Sequence, residues 1–221
     1  PVGDHSQLHA VDGINLKIYP GETLGVVGES GCGKSTLGRT ILRLQEPTDG
    51  QILYDGKDIT KYNRRQMKQM RQNMQLIFQD PYASLDPRKS VVEIIAEYMI
   101  INRTYPSKKE IYNYAAHLMD IVGLARRYAN AYPHELDGGR RQRIGIARAL
   151  SLHPKFIVCD EPVSALDVSI QAQILNLLMD LQDEMNLTYM FVTHDLSVVK
   201  HISNHIMVMY LGQCLELSTS D

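Results

Sequence analysis

Apolar residues in this chain follow two rhythms that take turns along its length. Ile14–Tyr19, Thr23–Val27, Gln51–Tyr54, Met74–Phe78, Phe156–Cys159, Tyr189–Thr193 and His205–Tyr210 are short runs rich in Ile, Val, Leu, Met, Phe and Tyr, and each reads as a strand. Pro20-Gly21 separates the first two, and Asp55-Gly56 makes a tight turn after the third. Between them, apolar residues recur three and four apart. Leu37, Ile41 and Leu44 predict a helix over 34–44, closed by Pro47, and similar spacing predicts helices over about 140–152 and Val168–Met185. From Val91 to about Ala131 only the helical rhythm is present (Ile94, Ile95, Tyr98, Ile111, Ala115, Leu118, Met119, Val122), which predicts two or three helices and no strand.

Strands alternating with helices of this length predict an α/β core around a mixed, largely parallel sheet, with an N-terminal antiparallel β region. The strand-free stretch predicts a helical subdomain over about 89–151, inserted between core segments 1–88 and 152–221 of one domain. No internal repeat or low-complexity tract interrupts this plan.

Composition narrows the function. With 23 Lys and Arg against 25 Asp and Glu the formal charge is −2, without the basic excess expected of a protein whose main partner is nucleic acid. Cys32, Cys159 and Cys214 are widely spaced with no CxxC pair, so neither a zinc site nor a disulfide framework is indicated and a reducing compartment is expected. No apolar run reaches the roughly 18–20 residues a membrane span needs, and no signal peptide is visible, so any membrane role is expected from the water side. The sequence opens on Pro1 rather than Met, as expected of a chain whose natural start lies upstream.

The densest chemistry lies at Gly28-Glu29-Ser30-Gly31-Cys32-Gly33-Lys34-Ser35, which matches the phosphate-loop pattern at every required position. Glycines let backbone amides wrap a phosphate, the following helix adds its positive end, Lys34 reaches the β- and γ-phosphates, and Ser35 is placed to ligate Mg²⁺. The loop falls between a strand and a helix, the context this mechanism requires. Cys32 reads as a loop spacer. A second feature is the apolar strand Phe156–Cys159 ending in Asp160-Glu161. Asp160 reads as the Mg²⁺ partner, through water, and Glu161 as the group that polarises the attacking water.

Taken with these, the order of further motifs resembles the nucleotide-binding subunit of an ABC transporter along nearly the whole chain. Gln79, in Phe78-Gln79-Asp80-Pro81, stands where that family places its Mg²⁺-sensing glutamine. Leu136-Asp137-Gly138-Gly139-Arg140 stands at the family signature, Ser164-Ala165-Leu166-Asp167 at the D-loop, and His194 at the switch histidine. Singly, each has a plainer reading: a solvated loop glutamine, a helix entry capped by Asp167, a structural strand-end histidine. In this order, beside both nucleotide motifs, agreement across levels favours function.

The resemblance implies a catalytic set of Lys34, Glu161 and His194. It implies ATP held by Gly28 through Ser35 and by Thr36, Mg²⁺ held by Ser35, Gln79 and Asp160, and a second cassette, identical or related, whose nucleotide is closed by Asp137, Gly138, Gly139, Arg140 and Asp167. The family commonly stacks an aromatic ring on adenine upstream of the first strand. Counting back places His5 there, with His9 close by. Further expected partners are integral membrane permease subunits and, indirectly, an extracytoplasmic solute-binding protein, with the chain at the cytoplasmic face of the membrane. Phe78 through Arg88, Pro133-His134-Glu135-Leu136 and Pro162 through Ser169 resemble the peptide and nickel importer subfamily in particular.

The signature departs from the family pattern, which usually has Ser in place of Asp137 and Gln in place of Arg140. Asp137 adds negative charge to a site built for an anion and is able to cap its own helix, while Arg140 is able to offset that charge. The composite ATP site completed by this signature is therefore expected to work poorly. Two other classes stay open. A soluble ABC ATPase outside transport usually has tandem modules or long coiled-coil inserts, and a phosphate-loop phosphotransferase needs an acceptor pocket. The basic run Lys61, Arg64, Arg65, Lys68 and Arg71 reads first as a solvated helix face.

Overall fold

The computed structural model describes residues 9–220. Pro20-Gly21 forms a turn closed by the Glu22 amide on the Tyr19 carbonyl (3.1 Å), with Gly21 at φ 77°, and feeds β1 (Thr23–Gly28). After the glycine loop comes α1 (Lys34–Ile41). Then β2 (Leu53–Tyr54) and β3 (Lys57–Asp58) pair antiparallel across Asp55 and Gly56, whose positive φ values suit a tight hairpin. The chain continues through α2 (Arg64–Asn73), β4 (Met74–Ile77), and three helices, α3 (Pro81–Ser84), α4 (Val91–Asn102) and α5 (Lys108–Ile121). Two single 3₁₀ turns lead to α6 (Gly138–Leu150), followed by β5 (Phe156–Asp160), α7 (Val168–Met185), β6 (Thr188–Thr193), α8 (Leu196–Ile202), β7 (His205–Tyr210) and β8 (Gln213–Thr219).

The main sheet runs β4-β5-β6-β1-β7-β8, parallel except for the last pair. Strands β5 and β6 are buried along their whole length, because alternate side chains serve two cores. Ile157, Cys159, Tyr189 and Phe191 face the larger core, and Phe156, Val158, Met190 and Val192 face the other, with Leu37 of α1. The helical stretch has no separate core. Ile94, Ile95, Leu118, Met119 and Ile144 join the same cluster as β5 and β6, with α6 against β4 and with α4 and α5 packed on α6. Local chemistry sets their starts: Ser90 and Glu93 form a capping box on α4, the Ser107 hydroxyl caps α5, and Asp137 caps α6.

Several expectations need correction. Ile14–Tyr19 is not a strand; Ile14, Leu16 and Ile18 pack against the smaller core in alternation, without a pairing ladder. The helix expected to reach Leu44 stops at Ile41. The buried Arg43 takes a left-handed conformation (φ 52°), from which its guanidinium donates to the carbonyls of Ile59 and Thr60. Helix α8 and strand β8 were not legible as such. Strand β8 is largely exposed and shows little apolar patterning, and its pairing with β7 defines it. The basic run lies mostly exposed on and beside α2, although Arg71 turns inward to the Arg43 carbonyl at 2.5 Å.

Gly25 of β1 leaves room for α8: a Cβ there would come within 2.4 Å of Val199 Cγ1 and 2.3 Å of Ser203 Oγ. Gly25→Ala is expected to cost about 1–3 kcal/mol by overpacking, measured as a lower urea midpoint with unchanged m-value.

Candidate active site

Because β4, β5, β6 and β1 run parallel and adjacent, their carboxyl ends share one edge of the sheet. Gly28, Asp160 with Glu161, His194 and, beyond β4, Gln79 are therefore gathered from distant parts of the chain. Such an edge is the usual ligand crevice of an open α/β sheet.

The loop after β1 is shaped by backbone contacts. Gly31 (φ 81°) and Gly33 (φ 104°) take left-handed conformations, Gly33 being the N-cap of α1. A Cβ on Gly33 would lie 2.1 Å from the Ala10 carbonyl oxygen, and one on Gly28 would lie 2.2 Å from that of Met209. The β7–β8 turn supports the loop from behind through the Gly212 amide, which donates to the Cys32 carbonyl at 2.9 Å. Cys32 is buried in the smaller core and acts as the spacer expected. Lys34 is 4% exposed, and its ammonium donates to the carbonyls of Gly28 (2.7 Å) and Glu29 (2.8 Å). A buried cation thus lies inside the loop, held by neutral acceptors and with no carboxylate in its hydrogen-bond set. Thr36 is half-buried one residue after Ser35 in the first turn of α1.

Across β6, the Ser35 hydroxyl donates to Asp160 Oδ1 at 2.6 Å. Arg39, one helical turn beyond Ser35, approaches Asp160 Oδ2 at 3.4 Å and is half-exposed. Sequence reasoning missed Arg39; its i+4 spacing from Ser35 was the available signal. Asp160 is 2% exposed. Beside it, the Cys159 thiol is wholly buried, which pushes its pKa up and leaves it a packing residue.

Glu161 follows β5 directly, at φ 48°, an uncommon conformation for a residue with a side chain. Its amide donates to the Val192 carbonyl at 2.9 Å, and its carbonyl accepts from the Ser164 hydroxyl at 3.1 Å, so the kink is held from both sides. The kink directs the carboxylate toward the neighbouring strand ends. Glu161 Oε2 accepts from Gln79 Nε2 at 2.9 Å and lies 3.5 Å from His194 Nδ1. Gln79 and His194 are exposed, whereas Glu161 is partly buried. Behind Gln79, the buried Arg148 of α6 donates to the Ser84 carbonyl at 2.5 Å and lies 5.6 Å over the Phe78 ring, tying this loop to the helical stretch. Burial holds the Arg148 pKa below its ordinary value.

Asp137, Gly138, Gly139 and Arg140 are not part of this cluster. They form the start of α6, where Gly138 and Gly139 lie against Leu166 and Ile170, so close that a Cβ on Gly139 would come within 2.7 Å of Ile170 Cγ2. Asp167 occupies the N-cap of α7 without a side-chain capping bond. His9 is exposed, and its carbonyl lies near Gly212; His5 falls outside the described residues.

The donor set suits a small hard cation. Ser35 and Asp160 offer oxygens 2.6 Å apart, and Gln79 gives its NH₂ to Glu161, which leaves its carbonyl oxygen for a ligand. Among the described residues no group of three His, Cys, Asp or Glu is placed to hold a metal ion.

Comparison with known proteins agrees with this geometry. A profile described as ABC transporter matches residues 11–164. The chain is 55% identical over 213 residues to the oligopeptide transport ATP-binding protein OppF of Bacillus subtilis (strain 168), covering 96% of this chain and 70% of that protein. It is 51% identical over 212 residues to the dipeptide transport ATP-binding protein DppF of Escherichia coli (strain K12), covering 96% of this chain and 63% of that protein. It thus spans about two thirds of the length of these relatives. Among solved structures, a dimeric post-hydrolysis state of the ATP-binding cassette MJ0796, bound to ADP and Pi, superposes with a TM-score of 0.87 at 30% identity, covering 96% of this chain and 91% of that one.

Gly33 is the most constrained point of the loop. Gly33→Ala, which adds a Cβ against the Ala10 carbonyl at a positive φ, is expected to cost about 1–3 kcal/mol and to weaken pyrophosphate binding at least tenfold, as measured by thermal unfolding and calorimetric titration.

Proposed function

Because this chain belongs to the ABC transporter family, we propose that it is the ATP-hydrolysing motor of an importer for peptides or related small solutes. It is an ATP-binding cassette with the fold of that family. The observation that carries the catalytic reading is the meeting of Gln79, Glu161 and His194 at the end of β5, next to the Ser35–Asp160 pair and the buried Lys34 ammonium.

In this reading Lys34 and the loop amides hold the β- and γ-phosphates, and Ser35, Gln79 and Asp160 hold Mg²⁺. The bound ion supplies charge neutralisation on the phosphate oxygens. Glu161 takes a proton from water as the water oxygen bonds to the γ-phosphorus and the bond from that phosphorus to the bridging oxygen breaks, releasing ADP and phosphate. The His194 imidazole, 3.5 Å from Glu161, meets charge that develops on the transferred group, and Gln79 keeps the carboxylate aimed. Asp137, Gly138, Gly139, Arg140 and Asp167 lie outside this cluster and are available to face the nucleotide of a second cassette. The solved relative MJ0796 is a dimer, which supports that arrangement.

Coupling to membrane permeases uses a groove of about 740 Å³ beside Gln79. Leu44, Phe78, Tyr98 and Ile101 line it with apolar surface, and Arg65 and Lys68 of α2 line it as well. Arg148 links this groove to the Gln79 loop, so an element seated there would move Gln79 against Glu161. No helix among the described residues is long and apolar enough to cross a membrane. The proposed place is peripheral, at the cytoplasmic face, with a solute-binding protein acting through the permeases.

Glu161→Gln is expected to lower ATP turnover by about 10²–10⁴-fold while Mg-ATP binding persists, because the amide keeps the shape but accepts no proton. Unchanged turnover would remove Glu161 as the base. Chelating Mg²⁺ is expected to abolish phosphate release and to leave the folded chain intact by circular dichroism, since Ser35 and Asp160 satisfy each other in the ion's absence.

A further inference from the structure

Helix α1 brings two cations to the site, and they are held in different ways. Lys34 gives its ammonium to the neutral carbonyls of Gly28 and Glu29. Arg39, in the last turn of the same helix, gives its guanidinium to a carboxylate. It donates to Asp160 Oδ2 at 3.4 Å, while Ser35 holds Oδ1 at 2.6 Å. Among the described residues Arg39 is the one cationic side chain within ion-pair distance of Asp160. The two partners are unequally buried: 3% of the Asp160 side chain is exposed, against 45% for Arg39. Their backbones are fixed. Helix α1 is pressed onto β5, where a Cβ on Gly38 would come within 2.8 Å of Val158 Cγ1, and the Arg39 carbonyl accepts from the Leu44 amide at 2.9 Å. Of this pair, only the guanidinium has solvent to withdraw into.

We propose that Arg39 is a resident counter-cation of Asp160 that competes with a divalent ion for this carboxylate, so that Mg²⁺ is taken up together with the nucleotide's phosphates and not ahead of them. This rests on the reading above, in which Ser35 and Asp160 hold Mg²⁺. A nearly buried carboxylate attracts cations strongly, because little water screens it. With Arg39 beside it the pair is close to neutral, and a lone divalent ion meets the like charge of the guanidinium. Arg39 gives up Asp160 when the ion arrives with phosphate oxygens of its own, the setting in which Mg²⁺ is usually bound. The geometry suits such an exchange. The contact that must yield is the long one, made by the half-exposed partner. The short Ser35 bond need not break, since the hydroxyl oxygen keeps lone pairs for an ion while it donates to Asp160. Arg39 is thus a positioning residue, acting on the ion through Asp160.

The test compares the purified chain with Arg39→Gln, which keeps a hydrogen-bond donor without the charge, and with Arg39→Lys, which keeps the charge. Mn²⁺ alone is titrated into each, and the free ion is read by electron paramagnetic resonance. Arg39→Gln is expected to bind Mn²⁺ at least about threefold more tightly than the parent, and Arg39→Lys to stay within about twofold of it. Adding Asp160→Asn to Arg39→Gln is expected to abolish the gain. In chelator, Arg39→Gln is expected to unfold at a lower temperature than the parent, and Mg-ATP to raise its midpoint by more. Mn²⁺ binding by Arg39→Gln that is no tighter than the parent's, including none at all, overturns the inference. So does a gain that survives Asp160→Asn, or a lysine variant that behaves like the glutamine one. The functional reading is checked apart from these: failure of the parent chain to bind a ribose-labelled ATP analogue with Mg²⁺ overturns that reading, whatever Mn²⁺ alone does.

Discussion

The Ser35 hydroxyl and the Asp160 carboxylate meet at 2.6 Å across β6, and the geometry of the site depends on that contact. It joins the first residues of α1 to the end of β5, segments that approach only because β5, β6 and β1 are neighbours in a parallel sheet. Asp160 is almost fully buried, so its charge needs partners, and Ser35 and Arg39 supply them. A carboxylate at this position is thus satisfied within the protein, at the same sheet edge as the loop that follows β1.

The parallel sheet gives the remaining groups their places. Strands β1, β4, β5 and β6 each bring at least one of these groups to the shared edge. The left-handed conformation of Glu161 shows how local strain is used. A residue continuing β5 would put its side chain into one of the two cores, whereas the kink, held by Val192 and Ser164, brings the carboxylate to Gln79 and His194. The cost is offset by burial along β5 and β6, whose side chains fill both cores.

The helical stretch extends the larger core, with α6 packed beside β4 and α4 and α5 packed on α6. Arg148 is the visible link. It is a buried guanidinium that joins α6 to the Phe78–Ser84 loop. The same helix is capped by Asp137, so one element carries both the signature turn at its start and the Arg148 connection to the Gln79 loop.

The sequence by itself determined the phosphate loop, the Asp160-Glu161 pair and most of the core, because these depend on local pattern. Glycines that must take positive φ, runs buried on both sheet faces, and helix periodicity are written in adjacent residues. It could not determine that Ile14–Tyr19 stays unpaired, that β8 pairs with β7, that α1 stops before Arg43, or that Arg39 turns to Asp160. For Arg43 and Arg39 this is decided by a partner far along the chain, the Ile59 and Thr60 carbonyls and a buried carboxylate, whereas β8 meets the edge of β7 across the short Leu211-Gly212 turn. Hydrogen bonding and burial across such separations are properties of the folded sheet, and only the tertiary structure decides which distant group satisfies which.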